Sequence, residues 1–546
     1  MRRSGIFAEK RVVFICFVIA LGQFQNGYDS AAIAGFQSMD GFLAVFGYHD
    51  AALGEYNIST DVQRLIQSLI SVGGFVSAVA IYALGSRLSR RVGLWIGCLL
   101  AVVSVSLMIG VTSLGGLYAG RLLLGASNGF LVPYSVMYMT ESAPSLLRGS
   151  IVGMSTFQTS LGALFGILVD NYTAKRPGHS SWQIPLAVMY CVPVLLGTFI
   201  AFLPDTPRYY VTRGEDEKAV QAIRRLRGIT DEGLLRAEVA DIRSAFLLET
   251  ELHAGVHLRD MFSSRPDRRR TLLCYACNVG QTATGVNFMA GFSVYLFVQA
   301  RVGDPFMWVL VSLAIALTGN MLAFPAMRFI GRRELLVGCS LVSAVMMLGM
   351  AVVYTVAGKS SAAAGKALVA LSIVYTWVYG VGQGPVLWAL STEIPSQRLR
   401  SQTVGTASGV GYIVGWLSAF FTPYFINPDK LNWGPKYGYI WGASNLVLAI
   451  WAFLFVPETK GRSLEQLDEL FEKGVGARKF ASFAVERQLV DGDSRTLQQS
   501  RGGGGGGGGL EERDGSSKMA TTVDQLEDPE KGAAGTPASS SSTSHK

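Results

Sequence analysis

Twelve long blocks of apolar residues, nearly all of them free of charge, leave this chain few folds to choose from. They fall near 12–36, 65–85, 92–113, 115–139, 149–170 and 183–203, then near 271–299, 306–328, 334–357, 367–391, 402–425 and 437–456. A run of roughly 18 or more such residues is long enough to cross the hydrocarbon core of a bilayer as a helix. Half of the residues are hydrophobic and only 16 % are charged, with a mean hydropathy of +0.33. An average soluble chain carries about a quarter charged residues. The spacing therefore predicts an all-α integral membrane protein of twelve transmembrane helices, six and six around a gap. The first block is too long for a cleaved leader and carries Gln23, Gln25, Asn26 and Asp29, so it is read as a retained span.

A net charge of +8 and a pI near 9.1 raise the question of nucleic acid. The basic residues answer against it, because they sit in short loops on alternate sides of the spans. Arg2, Arg3, Lys10 and Arg11 precede the first span, Arg87, Arg90 and Arg91 follow the second, and Arg148, Arg332, Arg333, Arg398 and Arg400 share that side. The positive-inside rule then places both termini in the cytoplasm. Two glycosylation sequons, at Asn57 and Asn171, fall on the opposite side. All six cysteines lie inside predicted spans, which argues against a disulfide framework. Cys274 and Cys277 have redox-motif spacing, but a membrane helix is not the context that motif needs, and small apolar packing residues are the better reading. No metal cluster or nucleophile constellation stands out, so neither a cofactor, a metal site nor an enzyme is expected.

The two sets of six carry the same markers in the same order. Glu141 and Arg148 recur as Glu393 and Arg400, 252 residues later, and Pro204-Asp205-Thr206 recurs as Pro457-Glu458-Thr459. Arg90-Arg91 likewise matches Arg332-Arg333. Such spacing is that of a parallel duplication. The organisation read from it is a cytoplasmic segment at 1–11, a six-helix half at 12–203, a linker of amphipathic helices at 204–270, a second half at 271–456, and a cytoplasmic tail at 457–546. Composition predicts disorder after about 473, where the chain turns polar and then runs through eight glycines at 502–509.

With these markers in hand, the chain resembles the sugar porter branch of the major facilitator superfamily over nearly all of 10–472. The residues that carry the likeness are Gly27-Tyr28-Asp29, Gly120-Arg121 with Gly125 and Gly129, Arg148-Gly149, Pro204-Asp205-Thr206-Pro207-Arg208, Gln281 with Gly285 and Asn287, Gly384-Pro385 with Trp388, and Pro457-Glu458-Thr459-Lys460-Gly461-Arg462. Gly291 to Phe297 and Glu393 to Arg400 look most like fungal carriers of sucrose and other α-glucosides. Fungal hexose carriers usually place two aromatics where Gly291 and Phe292 stand, so a wider pocket is implied. The resemblance implies two pseudo-symmetric halves, a lone sugar and a proton as passengers, a monomer in a lipid bilayer, and the plasma membrane as its place.

A sugar presents hydroxyls all round and an apolar ring face, which suits amides and a stacking ring. Gln281 and Asn287 lie six apart, about 120° around a regular helix, and both can reach one cavity if the helix breaks near Gly285. Trp388 is the stacking ring. The resemblance adds Tyr412 in span eleven, and two displaced amide positions: Thr156 stands where the family has a Gln, with Gln158 two residues on, and Ala316 where it has an Asn, with Asn320 one turn on. Plain helix-to-helix hydrogen bonding is the alternative for the amides, and belt or packing for Trp388.

Asp29 is an acid inside a span, which on insertion scales costs about 2.5–3.5 kcal/mol and so usually has a partner or a task. Arg121, a lone charge in span four, is the expected partner. Burial favours the neutral acid and the guanidinium favours the carboxylate, and a group held between those pulls can load and release a proton. The resemblance implies proton symport through Asp29 and Arg121; a static ion pair is the alternative. It also implies a cytoplasmic gate of Arg87, Arg90, Glu141, Arg148, Arg332, Glu393, Arg400 and Glu458, which positive-inside topology alone would also place there. The acids usual after spans two and eight are missing, at Ser86 and Arg328. The function expected is proton-coupled uptake of sucrose or another α-glucoside, with a hexose carrier or a non-transporting sugar sensor as alternatives.

Overall fold

The computed structural model describes residues 10–50, 55–85, 87–144, 147–253, 255–299, 302–357, 362–480 and 483. The side chain of Arg148, residue Ser86, the first nine residues and the glycine run at 502–509 lie outside them.

Eleven helices are long and apolar enough to cross a membrane. They are Lys10–Phe36, Thr60–Leu84, Arg90–Gly110, Leu114–Ser142, Arg148–Thr173, Ser180–Phe202, Pro305–Phe329, Arg332–Ala357, Ala363–Glu393, Arg400–Ile426 and Gly434–Phe455. The twelfth is the seventh in chain order, broken into Arg265–Ala283 and Val286–Gln299. Its first piece begins Arg-Pro-Asp-Arg-Arg-Arg and carries polar amides, so neither piece alone is a long apolar helix. Together they make twelve spans in two halves of six, the major facilitator fold.

Within the first half, glycine lets backbones touch. A Cβ on Gly162 would lie 2.1 Å from the carbonyl oxygen of Phe24, and one on Gly125 would lie 2.2 Å from that of Ile70. Span five is thus seated directly on span one, and span four on span two, as small-residue stripes allow in lipid.

The faces of the bundle differ in what covers them. On the face of the chain ends, Pro207–Thr212, Asp216–Arg227 and Glu232–His253 form a polar sub-layer around Val211, Val220, Ile223, Leu235 and Val239. Its Arg227 donates to the Ser142 carbonyl at 3.1 Å, tying it to span four. Order also continues past residue 473, where composition predicts it to end. Ser463 caps Leu464–Glu472, Asp468 pairs with Arg270 at 2.6 Å, and Arg269 donates to the Val475 carbonyl at 2.8 Å. The opposite, far face carries a short antiparallel hairpin, Tyr48–Asp50 against Glu55–Asn57.

Candidate functional site

The break in span seven makes the site. Gly285 sits at φ +83°, a conformation that glycine adopts without strain. A Cβ there would lie 2.8 Å from the Trp441 ring. Interrupting the helix frees the Thr284 carbonyl, which in lipid must find other donors. It finds two, the Tyr375 hydroxyl at 2.8 Å and the Asn445 amide at 2.9 Å. Asn445 is held in turn by buried Gln383, which also bonds Ser340 and Ser343. This buried network was not foreseen; Gln383 and Asn445 look like isolated amides in the sequence.

The break turns Gln281 and Asn287 into one cavity of about 390 Å³, which Trp388, Tyr412, Asn278, Gln67 and Arg121 also line. Gln281 already donates to the Gly384 carbonyl and accepts from the Tyr379 hydroxyl, both at 2.9 Å. An amide has two N–H groups and two lone pairs, so one of each remains for a ligand. Asn287 has no hydrogen-bond partner among the described residues. Trp388 and Tyr412 are 55 % and 47 % exposed, so a ring face and a phenol stand open. Two lining residues were missed. Asn278 donates to the Cys274 carbonyl and keeps its amide oxygen free; its signal was the three-residue spacing from Gln281. Gln67 donates to the Gly291 carbonyl at 3.2 Å, reaching across from the other half, and nothing in the sequence marks it.

Three expected residues fall elsewhere. Gln158 is buried and donates to the Phe17 carbonyl at 3.4 Å, bracing span one from behind. Thr156 is exposed and does not line the cavity. Asn320 lines a second chamber of about 220 Å³ that shares Ser30 and Ala290 with the first, and it donates to the Ser160 hydroxyl at 2.6 Å, between the halves. Cys274 and Cys277 are buried free thiols, Cys274 donating to the Ser391 carbonyl.

Asp29 and Arg121 meet at 2.8 Å, both buried. Arg121 also donates through Nε to the Ile66 carbonyl at 3.0 Å, and the second oxygen of Asp29 accepts from Asn128 at 3.2 Å. Asn128 sits two turns past Arg121 and was missed. Arg121 can only donate, so the Asp29 oxygen it meets accepts, as in an ion pair with a carboxylate.

At the terminal face each half builds the same triad. Arg90 grips Glu141 through Nε and Nη2, and Thr206 donates to the other side of that carboxylate. Arg332 bonds Glu393 at 3.2 Å, and Thr459 donates to it at 2.6 Å. Glu458 accepts from the backbone N–H groups of Arg332 and Arg333, both at 3.0 Å, capping span nine. The partner of Glu393 is therefore Arg332 and not Arg400, whose Nε and Nη2 are buried without partners among the described residues. Arg87 is exposed, its carbonyl accepting from Arg213. Each of these pairs lies within one half.

The described bonds between halves lie from mid-span to the far face. Thr60 bonds Asp429 and Asn427, Tyr295 reaches Asn57 at 3.5 Å, and Lys175 stands 3.5 Å from Asp304. The far end of the cavity is thereby shut, and Trp388, five residues before Glu393, marks its open end. Both sequons are built into this structure. The Asn57 side-chain oxygen also accepts from the Ile58 backbone, and Asn171 lies in the last helical turn with Thr173 buried and bonded to the Val169 carbonyl.

A family model described as "Sugar (and other) transporter" matches residues 15–471. The Alpha-glucosides permease MPH3 of Saccharomyces cerevisiae is 27 % identical over 484 residues, 87 % of this chain and 80 % of its own. Hexose transporter 2 of Kluyveromyces lactis is 25 % identical over 488 residues, covering 86 % and 84 %. Among solved structures, an inward open conformation of the xylose transporter XylE from E. coli superimposes with a TM-score of 0.68 at 21 % identity, covering 84 % of this chain and 99 % of that one.

Proposed function

The chain belongs to the sugar transporter family, and from that premise we propose that it carries sucrose or another α-glucoside disaccharide together with a proton across the plasma membrane. The observation that carries this reading is that Arg121 belongs to two structures at once. It holds Asp29 and it lines the cavity with Gln281, Asn287 and Trp388. A change of charge on Asp29 therefore alters the wall of the sugar site.

With both termini in the cytoplasm, the shut far face is the outside and the cavity faces inward. We read the Asp29 that is ion-paired with Arg121 as the carboxylate, so this is the state after release. Protonation from outside turns one oxygen from acceptor to donor and weakens its hold on Arg121, freeing the guanidinium toward the cavity. Sugar then bridges the amides of span seven and the Trp388 ring, the halves rock, and the proton leaves inside as the pair re-forms. The residues that grip Glu141 and Glu393 from within each half in this state latch the halves when the site faces out.

Gly291 supports the disaccharide. It lines the cavity, and a Cβ there would meet the Gln67 side chain at 3.5 Å, so the aromatic of hexose carriers would fill space left open here. A hexose is the second reading, favoured because Gln281, Asn287 and Trp388 are enough to hold a single ring. Uptake of labelled sucrose in a transport-null cell, with maltose and glucose as competitors, at two pH values and with a protonophore, tests both. Competition by glucose alone moves the reading to hexose, uptake that ignores the proton gradient ends symport, and no uptake of any sugar leaves the sensor.

A further inference from the structure

A second acid lies inside the membrane, and the transport scheme above does not use it. Asp170, in the last turn of span five, is fully buried. Neither of its carboxyl oxygens has a hydrogen-bond partner among the described residues. It rests on bare backbone, for a Cβ on Gly35 of span one would lie 1.9 Å from its Oδ2. Asp29, equally buried, differs in its partners, with a cation at 2.8 Å and an amide on its other oxygen.

Among the described residues no donor reaches the carboxyl to hold a negative charge. From span one the titratable group near it is Tyr28, whose hydroxyl is already given to the Pro185 carbonyl at 2.9 Å. Cys191 of span six lies near Tyr28, and among the described residues no charged group is found to act on the carboxyl. An uncompensated carboxylate in such a place is prohibitively costly, so a group of this kind takes a proton instead. Closed packing at Gly35 is therefore compatible only with the neutral acid.

The position says when the charge can form. Asp170 is three residues from the end of its helix, about 4.5 Å of rise from the far face. Ile167, Ala31 and Ala34, the adjoining positions on its own helix and on span one, form part of the wall of the 220 Å³ chamber, whose other wall is Met289, Phe297, Val309 and Leu313 of the second half. Parting the halves on that face exposes this wall to water. Closing them dries it again.

We propose that Asp170 is a second proton-binding site, and that its protonation from the outside is required for the outer face to close. The step is carboxylate plus proton to carboxylic acid, with the proton retained while the cavity faces inward and returned outside on reopening. Asp170 thus sets the rate of closing without adding a proton to the transport ratio, which remains the work of Asp29. The proposal rests on the alternating-access reading and is separable from the symport claim.

The test uses the full chain in proteoliposomes, reading sugar exchange at equal concentrations on both sides over a range of external pH. In an Asp29→Asn background, exchange still slows as external pH rises, because Asp170 loses its proton in the outward state. Adding Asp170→Asn, a neutral residue of the same shape, makes exchange independent of external pH while its rate at acid pH stays within twofold, which also shows that the variant folds. In the otherwise unaltered chain, Asp170→Asn leaves the proton-to-sugar ratio unchanged and removes one carboxylic-acid C=O band from the infrared spectrum. An identical pH profile with and without Asp170→Asn, or no loss of that band, overturns the proposal. Uphill accumulation that persists in Asp29→Asn overturns the symport reading and leaves this one standing.

Discussion

The two halves are copies at their rims and opposites at their centres. Arg90, Glu141 and Thr206 in one match Arg332, Glu393 and Thr459 in the other, residue for residue. Midway through the membrane the likeness ends. Gly27-Tyr28-Asp29 of span one and Gly285-Val286-Asn287 of span seven share a pattern, yet the first places a carboxylate and the second an amide. Glycine itself does different work in the two. Gly27 lets span one press on span five, where a Cβ would lie 1.9 Å from the Thr159 carbonyl, and Gly285 breaks span seven. At the 252-residue offset that relates Glu141 to Glu393, Arg121 faces Ile373. One half thus keeps the charge and the other supplies most of the cavity's amides and aromatic rings, so the duplicated scaffold differs where the cavity lies.

The largest effect expected from breaking this division is at Arg121. Arg121→Gln leaves Asp29 buried without its cation and costs about 3–5 kcal/mol, seen as a fall in unfolding temperature in detergent. The double variant Asp29→Asn with Arg121→Gln recovers most of that stability but not uphill accumulation. In the other half, Asn287→Ala leaves stability nearly unchanged and lowers kcat/KM for the sugar by roughly tenfold to hundredfold, the range expected when a ligand hydroxyl loses its partner. Equal losses of stability at the two positions would erase the distinction.

The rims sharpen the comparison at smaller scale. Glu141 holds its arginine through two nitrogens and is the less exposed of the two acids. Glu141→Gln is therefore expected to cost about 2 kcal/mol and Glu393→Gln about 1 kcal/mol, read from thermal unfolding of each single variant. Caps differ as well. Ser89 caps span three from its own strand of chain at 3.2 Å, whereas span nine relies on Glu458 reaching back from beyond span twelve. Ser89→Ala should cost about 1 kcal/mol, and Glu458→Gln a similar amount together with loosening of the tail helix, visible as faster proteolysis after Lys460. The smallest effect is at exposed Glu465, whose carboxyl is held below the usual range by its own backbone N–H, the Ser463 hydroxyl and Gln397. Because the folded form is the more acidic, its stabilisation is present above the ordinary carboxylate range and is lost as pH falls through the lowered value. Glu465→Gln removes that slight acid sensitivity and nothing else.

Hydrophobic blocks, loop charges and duplicated markers were enough to read twelve spans and two halves, and the resemblance carried by the ordered motifs added the family, because each is a property of the chain in order. The sequence raises a break near Gly285 as the condition under which Gln281 and Asn287 reach one cavity, and the structure supplies it at φ +83°. Which amides face the cavity was not legible. A membrane helix is apolar on most of its circumference, so the pattern that marks an inner face in a soluble helix is absent, and Gln158 and Gln281 look alike until neighbours are placed. The same holds for ionic partners. Glu393 lies seven residues before Arg400, yet the packing of span nine's start against span ten gives it Arg332 instead. By itself the sequence determined that this chain crosses the bilayer twelve times as a duplicated sugar carrier with an acid in its first span. Only the tertiary structure decided that Asp29 has a cation and an amide while Asp170 has neither, because pairing in a medium without water depends on which helices touch, and at what depth.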